Sequence, residues 1–384
     1  MKNIECSSLG TITFTEQVLF DLIETKEFVR LQKIKQLALV HFTFPGAIHT
    51  RYEHSLGVYE LARRSLEKLN PADLSDFNKI ALLSAALLHD VGHGPFSHLF
   101  EGISGVKHEE YTRMIILEEN SSINKILVGY DSKLPAAITS IIEGKHELTY
   151  LNQLISSQVD VDRMDYLIRD RKNCRTSFGL DNPDYLIKSM IIVDGYLAFN
   201  ESAIFELENL LVGRMHMFQS VYSSPKSLAA SLLVKLFFNR VGQLISDEVL
   251  SDQSFKIFST IINKHKLDFN DFISLDDESV TDMMKQLIGT DVVLDKIIDS
   301  ILNQKTPSFM EVDTDSTSEE FGQGTSWDYI ETKSPLSKYG VPSHFVTQVL
   351  VGDKLVDIED ASPLIKLVYE LSNSADKKKY KVTI

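Results

Sequence analysis

The sequence holds only two cysteines, Cys6 and Cys174, in 384 residues. With no CxxC pairing, a disulfide framework or a thiolate zinc site is not expected. Positive charge is also scarce: 39 Lys and Arg stand against 54 Asp and Glu, for a formal net charge of -15. Proteins that grip bulk DNA or RNA gain affinity by neutralising phosphates with a basic face. The acidity therefore counts against a nuclease or a stable nucleic-acid partner, while leaving room for a local basic pocket that takes a small anion. No apolar run reads as long enough to cross a bilayer, and the opening MKNIECSSLGTITF lacks the apolar core of a signal peptide. There is no internal repeat. What is present is ordinary globular composition, 43% hydrophobic and 24% charged, enough to bury a sizeable core. The expectation is a soluble cytoplasmic protein with no membrane partner.

Helical periodicity dominates the pattern. Residues 7–14 alternate weakly and suggest a short strand, and apolar spacing from Glu16 to Leu39 suggests two short helices. The FPGA stretch (44–47) reads as a turn. A strong helix is predicted over 51–69, ended by Asn70-Pro71, and an Ala/Leu-rich one over about 77–90. Further helices are expected near 109–117, 133–143, 151–170 and 206–220. Asp194-Gly195, between two β-branched or aromatic runs, predicts a hairpin over 191–199. An acidic, Ser/Thr/Gly-rich stretch near 310–326 reads as a linker. A small β element near 345–358 and a closing helix follow, the helix capped by Ser362 with Pro363 in its first turn. The fold class is mainly all-α with small peripheral β elements. Residues 1–240 form the expected core and 241–384 a mixed helical and β region.

Eleven histidines occur, and four crowd into residues 89–108: His89, His93, His98 and His108. His89 and Asp90 end an apolar helix, a costly place for polar side chains unless they are satisfied. A divalent cation satisfies such a pair well, since imidazole and carboxylate suit Mn, Fe, Mg or Zn. His54 in RYEHSLGVYELA and Asp162 in DVDRMDYLIRD can complete such a set. Any one of these residues alone is more often a hydrogen-bonded core or capping group. The four together are not easily read that way.

The pattern H…HD…D, with RYEHSLGV before it and HDVGHGPFSH within it, resembles the HD superfamily. More narrowly, the chain is similar to the deoxynucleoside triphosphate triphosphohydrolases, including the sterile-alpha-motif HD proteins and their bacterial relatives. The matching stretches are RLQKIKQL (30–37), FPGAIHTRYEHSLGVYELA (44–62), LLHDVGHGPFSHLFE (87–101) and DVDRMDYLIRD (160–170), with SPLIKLV (362–368) near the end. The resemblance implies that His54, His89, Asp90 and Asp162 hold a divalent metal ion and that Asp160 is structural. It makes His98 and Glu101 a proton-transfer pair, with His93 and His108 contacting phosphate or supporting the ligands. Arg51 and Arg163 would hold the polyphosphate, Gln36, Leu37 and Tyr166 would face the sugar, and Asp170 would be a further substrate-binding residue. Helical spacing adds that Asp162, Tyr166 and Asp170, each four apart, share a face.

There is one departure. Where bacterial relatives carry a VYxHPxxRAAE-like stretch, this chain reads VYSSPKSLAAS (221–231), with Ser224 and Leu228 at the usual histidine and arginine and Lys226 nearby. Three readings stand: a dNTP triphosphohydrolase, an HD phosphohydrolase acting on another small nucleotide, and a vestigial-site protein or nuclease. The complete ligand set counts against a vestigial site. By resemblance, a homo-oligomer and an allosteric nucleotide are expected as well.

Overall fold

A computed structural model of the chain describes residues 2–251, 255–312, 326–332, 345–372 and 378–383. The 313–325 portion of the acidic stretch expected as a linker lies outside the described residues. Three helices form the heart of the molecule. Arg51–Leu69 begins with a reciprocal cap, in which the Thr50 backbone N–H donates to Glu53 at 3.1 Å, and ends at Asn70 in the left-handed region with φ 40°. Asp76–Leu88, capped by the Ser75 side chain, is buried continuously from Ile80 onward. A helix apolar all round belongs at the centre of a fold, and its end delivers His89 and Asp90 into the interior. Val161–Cys174 packs across Arg51–Leu69 and brings its first turn to the same place.

Several expectations need correction. The helix expected over 151–170 is two helices, Thr149–Ile155 and Val161–Cys174. The break arises because Asp160 turns its side chain onto backbone N–H groups, accepting from Ser157 at 2.8 Å and from Arg163 at 2.7 Å. The strand expected over 7–14 is the second half of an antiparallel hairpin, Lys2–Cys6 with Gly10–Phe14. The two short helices expected over 16–39 are present as Gln17–Ile23 and Lys26–Val29, followed by short 3-10 turns. The two β elements expected separately join in one four-stranded sheet. Tyr196–Asn200 pairs with Met190–Val193 through the Asp194-Gly195 turn, and in parallel with Gln348–Val351, which pairs with Lys354–Asp357. Phe199 and Val349, opposite each other, are both buried, which accounts for this long-range pairing.

Pro225–Ser246, a helix outside the sequence expectations, is long and apolar enough by length and composition to cross a bilayer. Its Leu233, Phe237 and Val241 are instead buried in the fold, against helices that include Lys256–Ile262 and Val292–Leu302. The region beyond residue 240 also reaches the histidine-rich segment, where Phe272 stacks on Tyr111 with ring centroids 3.8 Å apart.

Candidate metal centre

Three helix ends converge. Arg51–Leu69 supplies His54 from its first turn, the end of Asp76–Leu88 supplies His89 and Asp90, and Val161–Cys174 supplies Asp162 from its first turn. His54 Nε2 lies 3.0 Å from Asp162 Oδ1 and 3.5 Å from Asp90 Oδ2. His89 Nε2 lies 3.5 Å from Asp90 Oδ1 and 3.8 Å from Asp162 Oδ1. His54, His89 and Asp90 are buried, whereas the Asp162 side chain is 33% exposed and marks the open side.

The donor set suits a cation. His54 presents Nδ1 to Asp165 Oδ2 at 2.7 Å, and His89 presents Nδ1 to the Ala86 carbonyl at 2.9 Å. Each acceptor calls for the proton on Nδ1, which leaves a lone pair on Nε2. Among the described residues both Nε2 atoms are buried with no hydrogen-bond donor to meet that lone pair, and they face carboxylate oxygens instead. Such orphans are uncommon in a folded interior and are what an ion would satisfy. The carboxylates also draw positive charge. Without an ion they draw a proton in its place: burial pulls the His54 pKa down, but Asp162 and Asp165 outweigh it and raise it to about 10, so a cation would take the place of the proton on Nε2. Burial opposes ionisation of Asp90, yet Arg51 and His89 keep it well below the usual carboxylate range.

Behind His54, Asp165 is clasped by Arg169 at 2.7 and 2.9 Å. Gly57, one turn beyond His54, leaves the space this clasp needs, since a Cβ there would stand 1.8 Å from Asp165 Oδ1. Sequence reasoning missed Asp165. Its i, i+4 spacing to Arg169 within an otherwise apolar helix face was the available sign.

A second cluster adjoins the first. His98 and His108 both present Nδ1 to Glu101 Oε1, at 2.7 and 2.9 Å. Burial raises the Glu101 carboxyl, but His108 and His98 more than offset it and hold it well below its ordinary value. His93 stacks on His108 with centroids 3.9 Å apart, and its Nε2 is 3.3 Å from Asp90 Oδ1. Burial and the Arg51 charge keep the His93 imidazole neutral, with its pKa well below the usual range. His98 is 69% exposed and is the accessible member.

The residues expected at the substrate are placed unevenly. Arg51 is buried and internally committed, donating to Asp90 Oδ2 at 2.5 Å and to Ser97 Oγ at 2.9 Å. Gln36 lies beside it, its backbone carbonyl 3.5 Å from Arg51 Nη2 and its side-chain Oε1 buried without a partner among the described residues. Leu37 is half-buried against the core. Arg163 turns back to the Ser157 carbonyl at 2.7 Å and to Asp160. Tyr166 is half-buried on the Val161–Cys174 helix. Asp170 is held by His49 at 2.7 Å and by the Tyr222 hydroxyl at 2.5 Å, two partners absent from the sequence reading.

The model for the HD domain matches residues 51–170. An uncharacterised protein of Mycoplasma genitalium is 33% identical over 368 residues, covering 88% of this chain and 84% of that protein. A SAMHD1 homologue of Dictyostelium discoideum, named a deoxynucleoside triphosphate triphosphohydrolase, is 30% identical over 254 residues, covering 62% of this chain and 49% of that protein. Among solved structures, a phosphohydrolase of Bacteroides thetaiotaomicron covers 100% of this chain and 99% of its own, with a TM-score of 0.84 at 24% identity. That likeness bears on the fold alone. The HD match runs from the helix of His54 through that of Asp162, and relatives align along most of the chain: this protein belongs to the HD-domain phosphohydrolases, which work with a divalent metal ion.

Proposed function

We propose that this protein hydrolyses deoxynucleoside triphosphates to the deoxynucleoside and inorganic triphosphate, with His54, His89, Asp90 and Asp162 as ligands of its ion. The observation that carries the reading is Glu101 Oε1, shared by His98 and His108 beside Asp90. A proton-transfer group next to a cation site is what departure of a nucleoside 5'-oxygen requires, because an alkoxide leaves poorly without a proton. When bound, the ion supplies Lewis-acid polarisation of a phosphoryl oxygen.

The chain's own residues then have distinct tasks. Glu101 holds His98 through Nδ1 so that a protonated His98 can deliver a proton from Nε2 to the departing oxygen. His93 and His108 line the approach to Asp90 and contact phosphate. Arg51 contributes fixed positive charge, and Arg163 reaches the polyphosphate if it releases the Ser157 carbonyl. Gln36, Leu37, Tyr166 and Asp170 border the sugar. Each Asp170 oxygen keeps a second lone pair for a hydroxyl even with His49 and Tyr222 bound. The name of the Dictyostelium relative supports a nucleotide substrate. A cytoplasmic homo-oligomer with a nucleotide activator belongs to the same proposal.

One observation favours a second reading, an HD phosphohydrolase acting on another small nucleotide. Ser224 serves as the cap of Pro225–Ser246, accepting from Ser227 N, and Leu228 brings an apolar side chain where the resemblance leads one to expect arginine. The deciding experiment incubates the purified protein with each nucleotide and Mn or Mg, then resolves triphosphate, pyrophosphate and phosphate. Release of triphosphate from dNTPs supports the first reading. Untouched dNTPs, or a monophosphate with pyrophosphate, hand the case to the second.

A further inference from the structure

The basic residues of RLQKIK (30–35) have no part in the chemistry above, and neither does the segment around 275–278. The fold brings these two together against the loop that follows Asp90. Arg30 is buried, and its guanidinium donates to three carbonyls: Leu275 at 2.7 Å, Val91 at 2.9 Å and His93 at 2.8 Å. Lys33 pairs with Glu278 at 2.9 Å. Asp277, only 3% exposed, accepts from the backbone N–H of Phe96 at 2.7 Å and from that of Lys35 at 3.1 Å. One carboxylate thus bridges two loops.

The Phe96–Ser97 turn needs such a hold. Phe96 has φ 60° and Ser97 has φ 56°, two successive non-glycine residues in a region that L-residues seldom adopt. Backbone of this kind persists only when its surroundings over-determine it, and it gathers near functional sites. Ser97 is pinned in turn, donating from Oγ to the Lys35 carbonyl at 2.7 Å and accepting from Arg51 Nε at 2.9 Å. The next residue is His98, which opens the short helix carrying Glu101.

We propose that Asp277 is a positioning residue: from the region beyond residue 240 it clamps the strained Phe96–Ser97 turn, and so sets His98 and Arg51 against the metal cluster. The Arg30 contacts to Val91 and His93 secure the other end of the same loop. Without the clamp, the turn relaxes toward negative φ and carries His98 out of line. The role of His98 in this inference rests on the function proposed above. The existence of the clamp does not.

Two measurements on full-length protein separate them. Amide hydrogen exchange needs no substrate. In Asp277→Ala, peptides spanning 93–101 and 34–37 should exchange about tenfold faster or more, while those from 54–69 and 161–174 keep wild-type rates. Metal content should be unchanged. Turnover should fall by about 10- to 100-fold with little change in KM, the signature of misplaced chemistry rather than lost binding. Asp277→Asn, which keeps the shape and one acceptor oxygen, should recover part of both effects. Wild-type loop exchange in Asp277→Ala overturns the clamp. A uniform rise in exchange along the chain overturns it too, by showing a general loss of stability. A loosened loop with wild-type kcat overturns the positioning role. If the wild-type protein hydrolyses no nucleotide, the proposed function fails, and the exchange data still decide the clamp.

Discussion

Replacing a helical glycine by alanine normally stabilises a protein by about 1 kcal/mol. At Gly57 the sign should reverse. A Cβ there would stand 1.8 Å from Asp165 Oδ1 and 2.5 Å from Arg169 Nη2. To reach an ordinary contact the carboxylate must retreat by roughly 1.5 Å. Asp165 is buried and has no slack, since it holds Arg169 and His54 at the same time. Disrupting a buried ion pair costs about 3–5 kcal/mol. Setting the helix-propensity gain against it leaves Gly57→Ala less stable by about 2–4 kcal/mol. His54 also loses the acceptor that fixes its tautomer, so metal affinity should fall by about 10- to 100-fold. Urea denaturation and Mn titration measure the two effects. Gly102→Ala is the control: a Cβ at Gly102 meets nothing within 4 Å, so that variant should be neutral or stabilised. If Gly57→Ala is as stable as the wild type and binds metal as tightly, the clasp has been misread.

His89→Ala and Asp162→Ala should each abolish bound metal and activity, because each removes a proposed ligand; full occupancy of both variants by elemental analysis would refute the assignment. Glu101→Gln should lower turnover by about two to four orders of magnitude with metal content intact, and wild-type turnover would remove Glu101 from the proton-transfer pair. Asp291 caps Val292–Leu302 and pairs with Arg240 at 2.7 and 2.9 Å, and the Arg240 bond holds its carboxyl down to about 2. A depressed carboxyl stabilises the fold above its unfolded pKa near 4, and that contribution is lost as pH falls through the folded value. Asp291→Asn, which keeps capping ability, should therefore cost about 0.5–1 kcal/mol at neutral pH. The gap between variant and wild type should close between about pH 4 and pH 2, and a gap independent of pH would show that the charge contributes nothing.

Much of the centre was legible in the sequence because its signs are local. The Arg51–Leu69 helix carries its own start and stop in Thr50, Glu53 and Asn70, within reach of the turns they terminate. His89-Asp90 at the end of an apolar helix shows a polar pair bound for the interior, and Asp194-Gly195 states its turn outright. The helix expected across 151–170 failed for a local reason as well: apolar periodicity continues through the break, while the Asp160 side chain competes for backbone N–H groups and restarts the helix just before Asp162.

What the sequence by itself determined was the helical class and the set of groups able to hold an ion. Only the tertiary structure decided how those groups are oriented and what holds them. Asp165 behind His54 is 111 residues away in the chain, and Asp277 under Phe96 is 181 residues away. The pairing of Tyr196–Asn200 with Gln348–Val351 crosses a similar distance. Propensity and capping act within a turn or two of helix, so they cannot specify which distant carboxylate meets which imidazole. That choice is made by burial: once the helices pack, an enclosed polar group is costly unless it is paired, and the partners within reach are those the packing has brought there.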